Sequence, residues 1–252
     1  MKTDHPSLCH RHQMRKLWQD AFGDTDAFLD SFYSTAYAPD RCLGIFIGEE
    51  LAAALYWIDC HVQEQKLAYI YAVVTAPAHR GKGLCRKLMA DTHELLKSRG
   101  YSGSILVPQK ESLRQMYAAM GYRDEGGLTV FSCDAGTEPL PLRAVGPWEF
   151  ASLRRALLPE NAVIQEGAGL DFLAQQLQFF TGDDFLLAAY AENGTLHGIE
   201  LLGNRNAAPG ILKALDIPQG VFRTPGYSQP FAMFHPLAND AICPKYFGFA
   251  FD

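Results

Sequence analysis

A short basic segment, residues 79–83, reads His-Arg-Gly-Lys-Gly and contains the residue types of an anion-binding site. It follows an apolar, β-branched stretch that ends at Pro77, and helical periodicity begins after it at Leu84. Gly81 and Gly83 have no Cβ, so the backbone there can bend and approach a ligand closely. A helix beginning at Leu84 presents free N–H groups and the positive end of its dipole. The segment therefore predicts a site for phosphate or pyrophosphate.

Two common phosphate-binding motifs fit this segment poorly. A nucleotide P-loop requires Ser or Thr after its lysine and a glycine further upstream, but Lys82 is followed by Gly83 and the upstream glycine is missing. The dinucleotide fingerprint of a Rossmann fold requires a third glycine where Arg86 stands. A simple glycine turn with solvated charges is the remaining alternative that the residues alone leave open.

The segment and its flanks together resemble the acetyl-CoA motif of the GCN5-related N-acetyltransferases, [QR]-x-x-G-x-[GA]. The matching pattern is Pro77-x-x-Arg80-Gly81-x-Gly83-Leu84-x-x-x-Leu88. Cys85 departs from the family, which usually has Gly or Ala at that position. The resemblance implies that acetyl-CoA is the co-substrate, and that it is held by the strand end and the loop. The residues concerned are Val73, Val74, Thr75, Arg80, Gly81, Lys82, Gly83, Leu84 and Cys85.

A second segment is similar to the Y-x-x-x-G-[FY] ending of the same family. It reads Ser112-x-x-x-x-Tyr117-x-x-x-Gly121-Tyr122. In the family this tyrosine lies near the CoA sulfur and donates a proton to it, which implies the role of catalytic acid for Tyr117. Lys110 and Leu113 stand where many members have Asn and Ala. From spacing alone, Tyr117 would be one residue of an apolar helix face.

The sequence leaves the general base open. The strand over residues 67–74 carries no carboxylate, although some family members have a glutamate there. Asp59, His61 and Glu64 lie in the preceding polar stretch, where solvated loop residues are the simpler interpretation, and Tyr69 or Tyr71 could order a relaying water.

The pattern His79-Arg80-x-x-Gly83-Leu84-x-Arg86-x-x-Met89, together with residues 112–122, more closely resembles the bacterial enhanced-intracellular-survival acetyltransferases. In that family the position of Ser112 contacts CoA, and the terminal carboxylate is the base. That carboxylate lies on an added sterol-carrier-like domain, for which this chain is too short. The C-terminal carboxylate of Asp252 is thus left as one candidate for the base, beside a loop acid and a water relay.

Composition narrows the class of protein. The 252 residues are 48 % hydrophobic and 20 % charged, which is typical of a folded globular chain. Lys and Arg number 22 against 28 Asp and Glu, and the net charge of −6 argues against a nucleic-acid partner. The six cysteines lack zinc-ligand spacing, so no metal is expected. No signal peptide or membrane-spanning run is present, which favours the cytoplasm.

The pattern along the first half predicts the element order α-α-β-β-β-α-β-α-β, which suits a mixed sheet with helices on both faces. The predicted helices cover residues 10–22, the Phe28–Tyr33 region, 84–99 and 112–121. The predicted strands cover residues 42–47, 51–58, 67–75, 101–107 and 128–133, with 59–66 as a polar connection. In the family, the first two helices border the acceptor site.

A Pro-containing stretch, residues 136–142, predicts a linker, and a similar order of elements restarts behind it. The predicted helices of the second half are 148–158, 170–180 and 209–215, and its predicted strands are 185–190, 196–202, 229–236 and 246–251. Its candidate loop at 203–208 has no Arg-x-Gly-x-Gly. We therefore expect a degenerate second copy of the fold at 143–252 behind a catalytic domain at 1–135. An unrelated α+β cap is the alternative.

The sequence as a whole predicts a tandem acetyltransferase of α/β class. Its first half transfers acetyl from acetyl-CoA to the primary amine of a small molecule or peptide. The alternatives are a catalytically inactive CoA-binding sensor or partner module, and an acyltransferase that uses another acyl-CoA. The identity of the amine, a homodimeric or larger assembly, and a contribution of the second half to the acceptor site are left open by the sequence.

Overall fold

Two mixed sheets, each with one parallel strand pair, organise the computed structural model, which describes residues 1–250. The elements of the first half are β1 (Lys2–Asp4), α1 (Arg11–Phe22), α2 (Asp26–Thr35), β2 (Cys42–Ile47), β3 (Glu50–Val62), β4 (Gln65–Thr75), α3 (Leu84–Ser98), β5 (Gly103–Leu106), α4 (Glu111–Ala118), β6 (Arg123–Asp124) and β7 (Gly127–Asp134). Those of the second half are β8 (Arg143–Ala144), α5 (Pro147–Leu157), β9 (Val163–Ile164), α6 (Ala168–Leu173), β10 (Gln178–Thr181), β11 (Phe185–Glu192), β12 (Thr195–Gly203), α7 (Ala208–Ala214), β13 (Gln219–Pro225), β14 (Gln229–Pro230) and β15 (Met233–Pro236).

Local sequence explains where the first two helices begin and end. Helix α1 buries Met14, Leu17 and Trp18, which recur at helical spacing, and it stops at Gly23, whose φ of 76° is left-handed. Helix α2 begins behind Thr25, whose hydroxyl accepts a hydrogen bond from the backbone N–H of Phe28. Both helices therefore present an apolar face to the first sheet.

The first sheet has the order β1-β2-β3-β4-β5-β15-β6, with β9 paired to β3 outside this path. Strands β4 and β5 are parallel, and the neighbouring pairs are antiparallel. The second sheet has the order β14-β7-β13-β12-β11-β10-β8, and β12 and β13 form its parallel pair. The second sheet therefore repeats the plan of the first, with a parallel pair beside a run of antiparallel strands.

The two halves exchange a strand. Strand β7 of the first half pairs with β13 in the second sheet, whereas β15 of the second half lies between β5 and β6 in the first. Residues 135–142 between β7 and β8 contain neither helix nor strand. The predicted domain limits of 1–135 and 143–252 stay a prediction, because the sheets exchange strands across them.

Three hydrophobic clusters fill the structure. The largest, which we call the central core, packs the α1–α2 side of the first sheet against the second half, with Trp18 and Phe32 from one side and Phe150 and Phe172 from the other. A second cluster lies under α3 and α4 on the opposite face of the first sheet. A third lies under α7 on the far face of the second sheet. Because both halves contribute side chains to the central core, each half buries apolar surface of the other.

A buried ion pair stands at the edge of the central core. Arg154 Nε and Nη2 donate to the two carboxylate oxygens of Glu200 at 2.6 and 2.9 Å, and Nη1 donates to the carbonyl of Val163 at 3.2 Å. The guanidinium also lies 4.6 Å from the ring centroid of Phe249. The bidentate geometry and the extra bond give both buried charged groups hydrogen-bond partners.

The structure confirms most predicted elements of the first half and corrects several others. The prediction of a polar connection over 59–66 is wrong, since β3 and β4 run on to a turn at Gln63 and Glu64. Asp59 of β3 forms ion pairs with Lys66 of β4 across the hairpin at 3.2 Å and with Arg41, which directly precedes β2, at 2.9 Å. The polar residues among 59–66 lie at the solvent-exposed end of the β3–β4 hairpin.

Three elements of the second half also differ from the prediction. The helix predicted over 170–180 is two elements, α6 and β10, because Phe179 and Phe180 pair with β11. The strand predicted over 229–236 is split into β14 and β15, which belong to different sheets. Residues 246–250 form no strand beyond a bridge from Tyr246 to Ala162, and residue 251 of that prediction lies outside the described residues.

The strand exchange predicts that neither half folds alone. A fragment of residues 1–142 lacks β15, which leaves β5 without its antiparallel neighbour and β6 without its pairing partner. We expect this fragment, and a fragment of residues 143–252, to show no cooperative unfolding by circular dichroism, and we expect the two to copurify when co-expressed.

The control is the full chain with a protease site inserted between Thr137 and Glu138, in the segment that contains neither helix nor strand. After cleavage, the two pieces should stay together on gel filtration. Separation of the pieces in native buffer, or a cooperative transition for residues 1–142 alone, would contradict the strand exchange.

Candidate functional site

A gap opens in the first sheet between β4 and β5. The two strands pair in parallel only from Leu67 and Gly103 to Tyr69 and Ile105, and β4 then continues to Thr75 with no partner strand on that side among residues 1–250. Strand β5 ends one residue after the last pair, at Leu106. Peptide groups on this edge of β4 are therefore available to a ligand that enters between the strands.

A β-bulge lies on the other edge of β4 at the same level. Tyr71 and Val74 pair with Tyr56 and Ala54, so Ala72 and Val73 together oppose the single residue between those two. Ala72 has a left-handed φ of 48°, which costs an alanine about 1 kcal/mol. A bulge bends the strand that carries it, and this one lies at the level where the pairing of β4 with β5 has stopped.

A cavity of about 510 Å³ passes through the gap. On the α3–α4 side it is lined by Tyr117 and Leu113 of α4, and on the central-core side by Tyr69 and Tyr71 of β4. Val73 of the bulge also lines it. The cavity therefore connects the two faces of the sheet and can hold two reactants that approach from opposite sides.

The glycine loop lies at the end of β4. Gly81 and Gly83 have φ values of 74° and 76°, both are exposed, and no atom lies within 4 Å of the position that a Cβ would take. The Arg80 guanidinium donates to the Thr75 carbonyl at 3.1 Å, and the Lys82 ammonium donates to the Ala78 carbonyl at 2.9 Å. These bonds fix the loop beside the gap and leave its glycine backbone open to solvent.

Helix α3 begins immediately after the loop, with Gly83 as its N-cap residue. Leu84 is buried in the cluster under α3 and α4, which anchors the first turn. Cys85 is half-buried, and burial raises the pKa of its thiol. The first N–H groups of this 15-residue helix and the glycine backbone therefore lie side by side, in the arrangement that an anion would need, and the anion site itself stays a prediction.

Tyr117 forms part of the cavity wall on the α4 side. It is buried on α4 and lines the cavity, and its hydroxyl makes no hydrogen bond to any residue of the described chain. Burial first, and the Cys85 thiol second, raise the pKa of Tyr117, so the phenol keeps its proton at neutral pH. Its free hydroxyl can therefore donate to a group bound in the cavity.

Residues 9–124, the part of the chain that contains this gap, loop and tyrosine, match the family model described as an acetyltransferase (GNAT) domain. Residues 9–124 are a GNAT acetyltransferase domain. The match ends before β7, so it covers the loop and α4 and leaves out the second half. A domain of this family supports an acyltransferase as the class of enzyme.

Solved structures extend the likeness to the second half of the chain. A GCN5-related N-acetyltransferase from Anabaena variabilis has a TM-score of 0.72 at 16 % identity, covering 94 % of this chain and 73 % of that one. Eis1 from Mycobacterium abscessus has a TM-score of 0.68 at 11 % identity, with coverages of 94 % and 74 %. A tandem GNAT protein from the clavulanic acid biosynthesis pathway has a TM-score of 0.56 at 12 % identity, with coverages of 95 % and 100 %. No curated protein sequence matches the chain. At these identities the likeness establishes the GNAT fold, with its tandem arrangement, and nothing further.

The GNAT domain brings together only part of the predicted site. Val73 and Tyr117 line the cavity, and residues 80–85 form the adjoining loop and helix start. Val74 is buried and Thr75 is half-buried at the end of β4. Ser112 is exposed on the first turn of α4 and lies apart from the cavity lining. The assignment of these residues to CoA stays a prediction.

Of the candidates for a general base, some line the cavity and others lie away from it. Tyr69 and Tyr71 line the cavity, whereas Asp59, His61 and Glu64 lie at the far end of the β3–β4 hairpin and do not. The Tyr101 hydroxyl donates to Asp59 at 2.6 Å, which engages that carboxylate in addition to its two ion pairs. Asp252 lies outside the described residues.

Several cavity residues carried no signal in the sequence. Trp18, Asp24 and Phe28 line the cavity from α1, α2 and their connection, and the expectation that these helices border an acceptor stays a prediction. The second half adds a larger set, which consists of Leu173, Gln176, Leu177, Tyr190 and Ile199. These five positions become neighbours of the first half only through the central core, so a reading of each half by itself cannot find them.

The second half repeats the sheet of the GNAT domain without its loop or its tyrosine. Strands β12 and β13 pair in parallel only from Thr195 to Gly198. Just beyond, the antiparallel pairing of β11 with β12 shifts register, since Ala189 pairs with Gly198 and Ala188 with Glu200. The chain then enters a short 3₁₀ turn and α7, a helix of seven residues, and β13 is followed by β14 with no helix between them.

A buried polar cluster supports α4 from behind. His93 Nε2 lies 3.0 Å from the Tyr122 hydroxyl and 3.1 Å from that of Ser104, and these two hydroxyls are 2.7 Å apart. His235 of β15 stacks on His93 at 4.3 Å between ring centroids. Tyr122 in turn meets Tyr117 edge-on at 5.8 Å. The exchanged strand thus helps to position the ring that packs against Tyr117.

This cluster predicts acid sensitivity of the fold. Burial, with a smaller contribution from His235, lowers the pKa of His93 to about 3. In the unfolded chain His93 is protonated below its ordinary pKa of about 6.5, whereas in the folded chain it stays neutral down to about pH 3. The free energy of unfolding should therefore fall by about 2 kcal/mol through His93 between pH 7 and pH 5.

The measurement is urea unfolding at both pH values for the wild type and for His93→Gln, with the exposed His12→Gln as the matched control. We expect the loss on acidification to shrink by about 2 kcal/mol in His93→Gln and to stay unchanged in His12→Gln. An equal loss in all three proteins would show that His93 is not the group responsible.

Proposed function

We propose that the chain is an N-acetyltransferase that moves the acetyl group of acetyl-CoA to a primary amine of a small molecule or peptide. The observation that carries the proposal is the cavity that crosses the first sheet at the β4–β5 gap, beside the glycine loop and in contact with Tyr117. A thioester donor with a long arm and a pyrophosphate fits such a combination of a narrow gap and an adjoining anion site.

The donor would lie along β4. Its pyrophosphate would accept hydrogen bonds from the backbone between Gly81 and Cys85, with Arg80 and Lys82 adding positive charge at the exposed rim. Its arm would enter the gap, where the partnerless edge of Val73, Val74 and Thr75 supplies peptide groups for hydrogen bonds. A backbone N–H of this stretch would also polarise the thioester carbonyl.

The acceptor would come from the central-core side. Its neutral amine nitrogen attacks the thioester carbonyl, the new C–N bond forms, and the C–S bond breaks with its electron pair going to sulfur. Tyr117 gives its proton to the departing thiolate, since burial keeps the phenol protonated at neutral pH and no residue among 1–250 hydrogen-bonds to its hydroxyl. The amine loses its extra proton to a base, and Tyr69 and Tyr71 stand where they could order a water for that step.

One observation favours a second candidate, a CoA-binding sensor or partner module without catalysis. Strand β4 carries no carboxylate that could serve as the base. The unpaired hydroxyl of Tyr117 favours catalysis, because a binding module has no use for a proton donor at that position. A different acyl-CoA donor is a third candidate, and a panel of acetyl-, propionyl- and succinyl-CoA separates it from acetyl transfer.

The second half would not bind a donor of its own. It has no glycine pair between β12 and α7, and no counterpart of α4 that could carry a tyrosine. We assign it instead to the acceptor side, where its five lining residues close the cavity.

The proposal predicts an N-acetylated product that depends on Tyr117. With acetyl-CoA and a panel of amines, mass spectrometry should detect the product for the wild type. Tyr117→Phe should lower kcat by about 100-fold or more, because the leaving thiolate then lacks its acid, while the Kd for acetyl-CoA stays the same.

Tyr122→Phe is the matched control. It removes a hydroxyl of the same residue type five positions away, and that hydroxyl bonds to Ser104 and His93 and is not part of the cavity lining. We expect this variant to lose stability and to keep its kcat. Absence of product from any amine and any acyl-CoA would favour the sensor, and equal kcat for Tyr117→Phe and the wild type would remove Tyr117 from the mechanism.

A further inference from the structure

The acceptor side of the cavity is unusually poor in charge. Its lining on the central-core side is aromatic and aliphatic, with Trp18, Phe28, Tyr69, Tyr71, Tyr190 and Ile199 as its main members. Among residues 1–250, Asp24 is the one charged side chain that lines the cavity. One carboxylate oxygen of Asp24 accepts a hydrogen bond from Trp18 Nε1 at 2.7 Å, so that oxygen already has a donor.

This lining sets two limits on an acceptor. The described lining contains no Arg, Lys or His, so a carboxylate or phosphate on the acceptor would be desolvated there without a cationic partner. The single carboxylate of the described lining, Asp24, can compensate one positive charge, so a second ammonium would find no carboxylate partner among residues 1–250. The aromatic rings, in contrast, offer a large surface to an apolar body.

The rings are also held in place, which makes the apolar surface preformed. Trp18 packs against Phe32 at 4.8 Å and Tyr71 at 5.4 Å between ring centroids. Phe28 packs against Phe172 of the second half at 5.3 Å, and Tyr190 stacks on His197 at 4.8 Å. An apolar ligand therefore meets side chains that have already lost their rotamer freedom on folding.

We infer that the acceptor is an apolar monoamine: one primary amine on an aromatic or aliphatic body, with no carboxylate, phosphate or second ammonium. The inference rests on the proposed function for the transfer step, and it goes further by excluding polycationic and zwitterionic amines. Asp24 receives the single ammonium as it arrives, and the apolar body packs between α1–α2 and the second half.

The test uses two pairs of amines that differ by one charged group each. Hexylamine is compared with 1,6-diaminohexane, and 2-phenylethylamine with phenylalanine. Binding is measured by calorimetry on the full chain in the presence of CoA, so that no transfer is needed, and N-acetyl product is measured separately with acetyl-CoA. In each pair the monoamine should bind about tenfold more tightly or better, because the added charge is buried without a partner.

Gln176→Glu adds a carboxylate to the cavity rim with little change of shape, and Gln175→Glu adds the same charge one residue outside the lining. Gln176 is exposed, so its ion pair with a second ammonium is screened by water. We expect Gln176→Glu to improve the affinity for 1,6-diaminohexane relative to hexylamine by about twofold to fivefold, and Gln175→Glu to leave the ratio unchanged.

The outcomes separate the inference from the proposed function. Binding in the expected order without any product would uphold the apolar-monoamine site and overturn the transferase. Product formation with diamines or phenylalanine preferred would uphold the transferase and overturn this inference. Equal affinities within each pair, absence of amine binding, or the same ratio change in Gln175→Glu and Gln176→Glu would also overturn it.

Discussion

The early end of pairing between β4 and β5 is the constraint on which the site depends. Parallel strands normally satisfy each other's peptide groups along their whole length, but here the pairing stops at Tyr69 and Ile105. The bulge at Ala72 and Val73 lies just beyond this point, and both residues line the cavity. The unpaired peptide groups, the glycine loop and Tyr117 all lie around this one opening, so a ligand that enters it meets all of them.

The strand exchange and the central core explain why the chain carries a second half without a loop. The first sheet is incomplete without β15, and the faces of α1 and α2 would be exposed without the second half. The second half also supplies part of the cavity wall. The second half, which has no glycine loop, thus contributes a strand and core surface to the fold and side chains to the cavity wall.

The sequence predicted the local features of the site well and the long-range ones poorly. The loop, the strand before it, the helix after it and the position of Tyr117 on a helix follow from residue types within short windows, and the structure agrees with each. The exchange of β7 and β15 joins segments about 100 residues apart, and periodicity contains no information about which edge a strand chooses. The same limit hid the second-half residues of the cavity, such as Tyr190 and Ile199, which appear in the sequence as ordinary residues of a hairpin.

The most direct test of the account is a calorimetric titration of the full chain with acetyl-CoA, beside an Arg80→Ala/Gly83→Asp double variant. Neither residue is part of a hydrophobic cluster, and both are exposed, so the fold should survive the change. The account predicts one binding site per chain in the wild type and loss of binding in the variant, because an added carboxylate repels the pyrophosphate and the loop loses a positive charge. Two sites per chain, no binding by the wild type, or unchanged binding by the variant would contradict it.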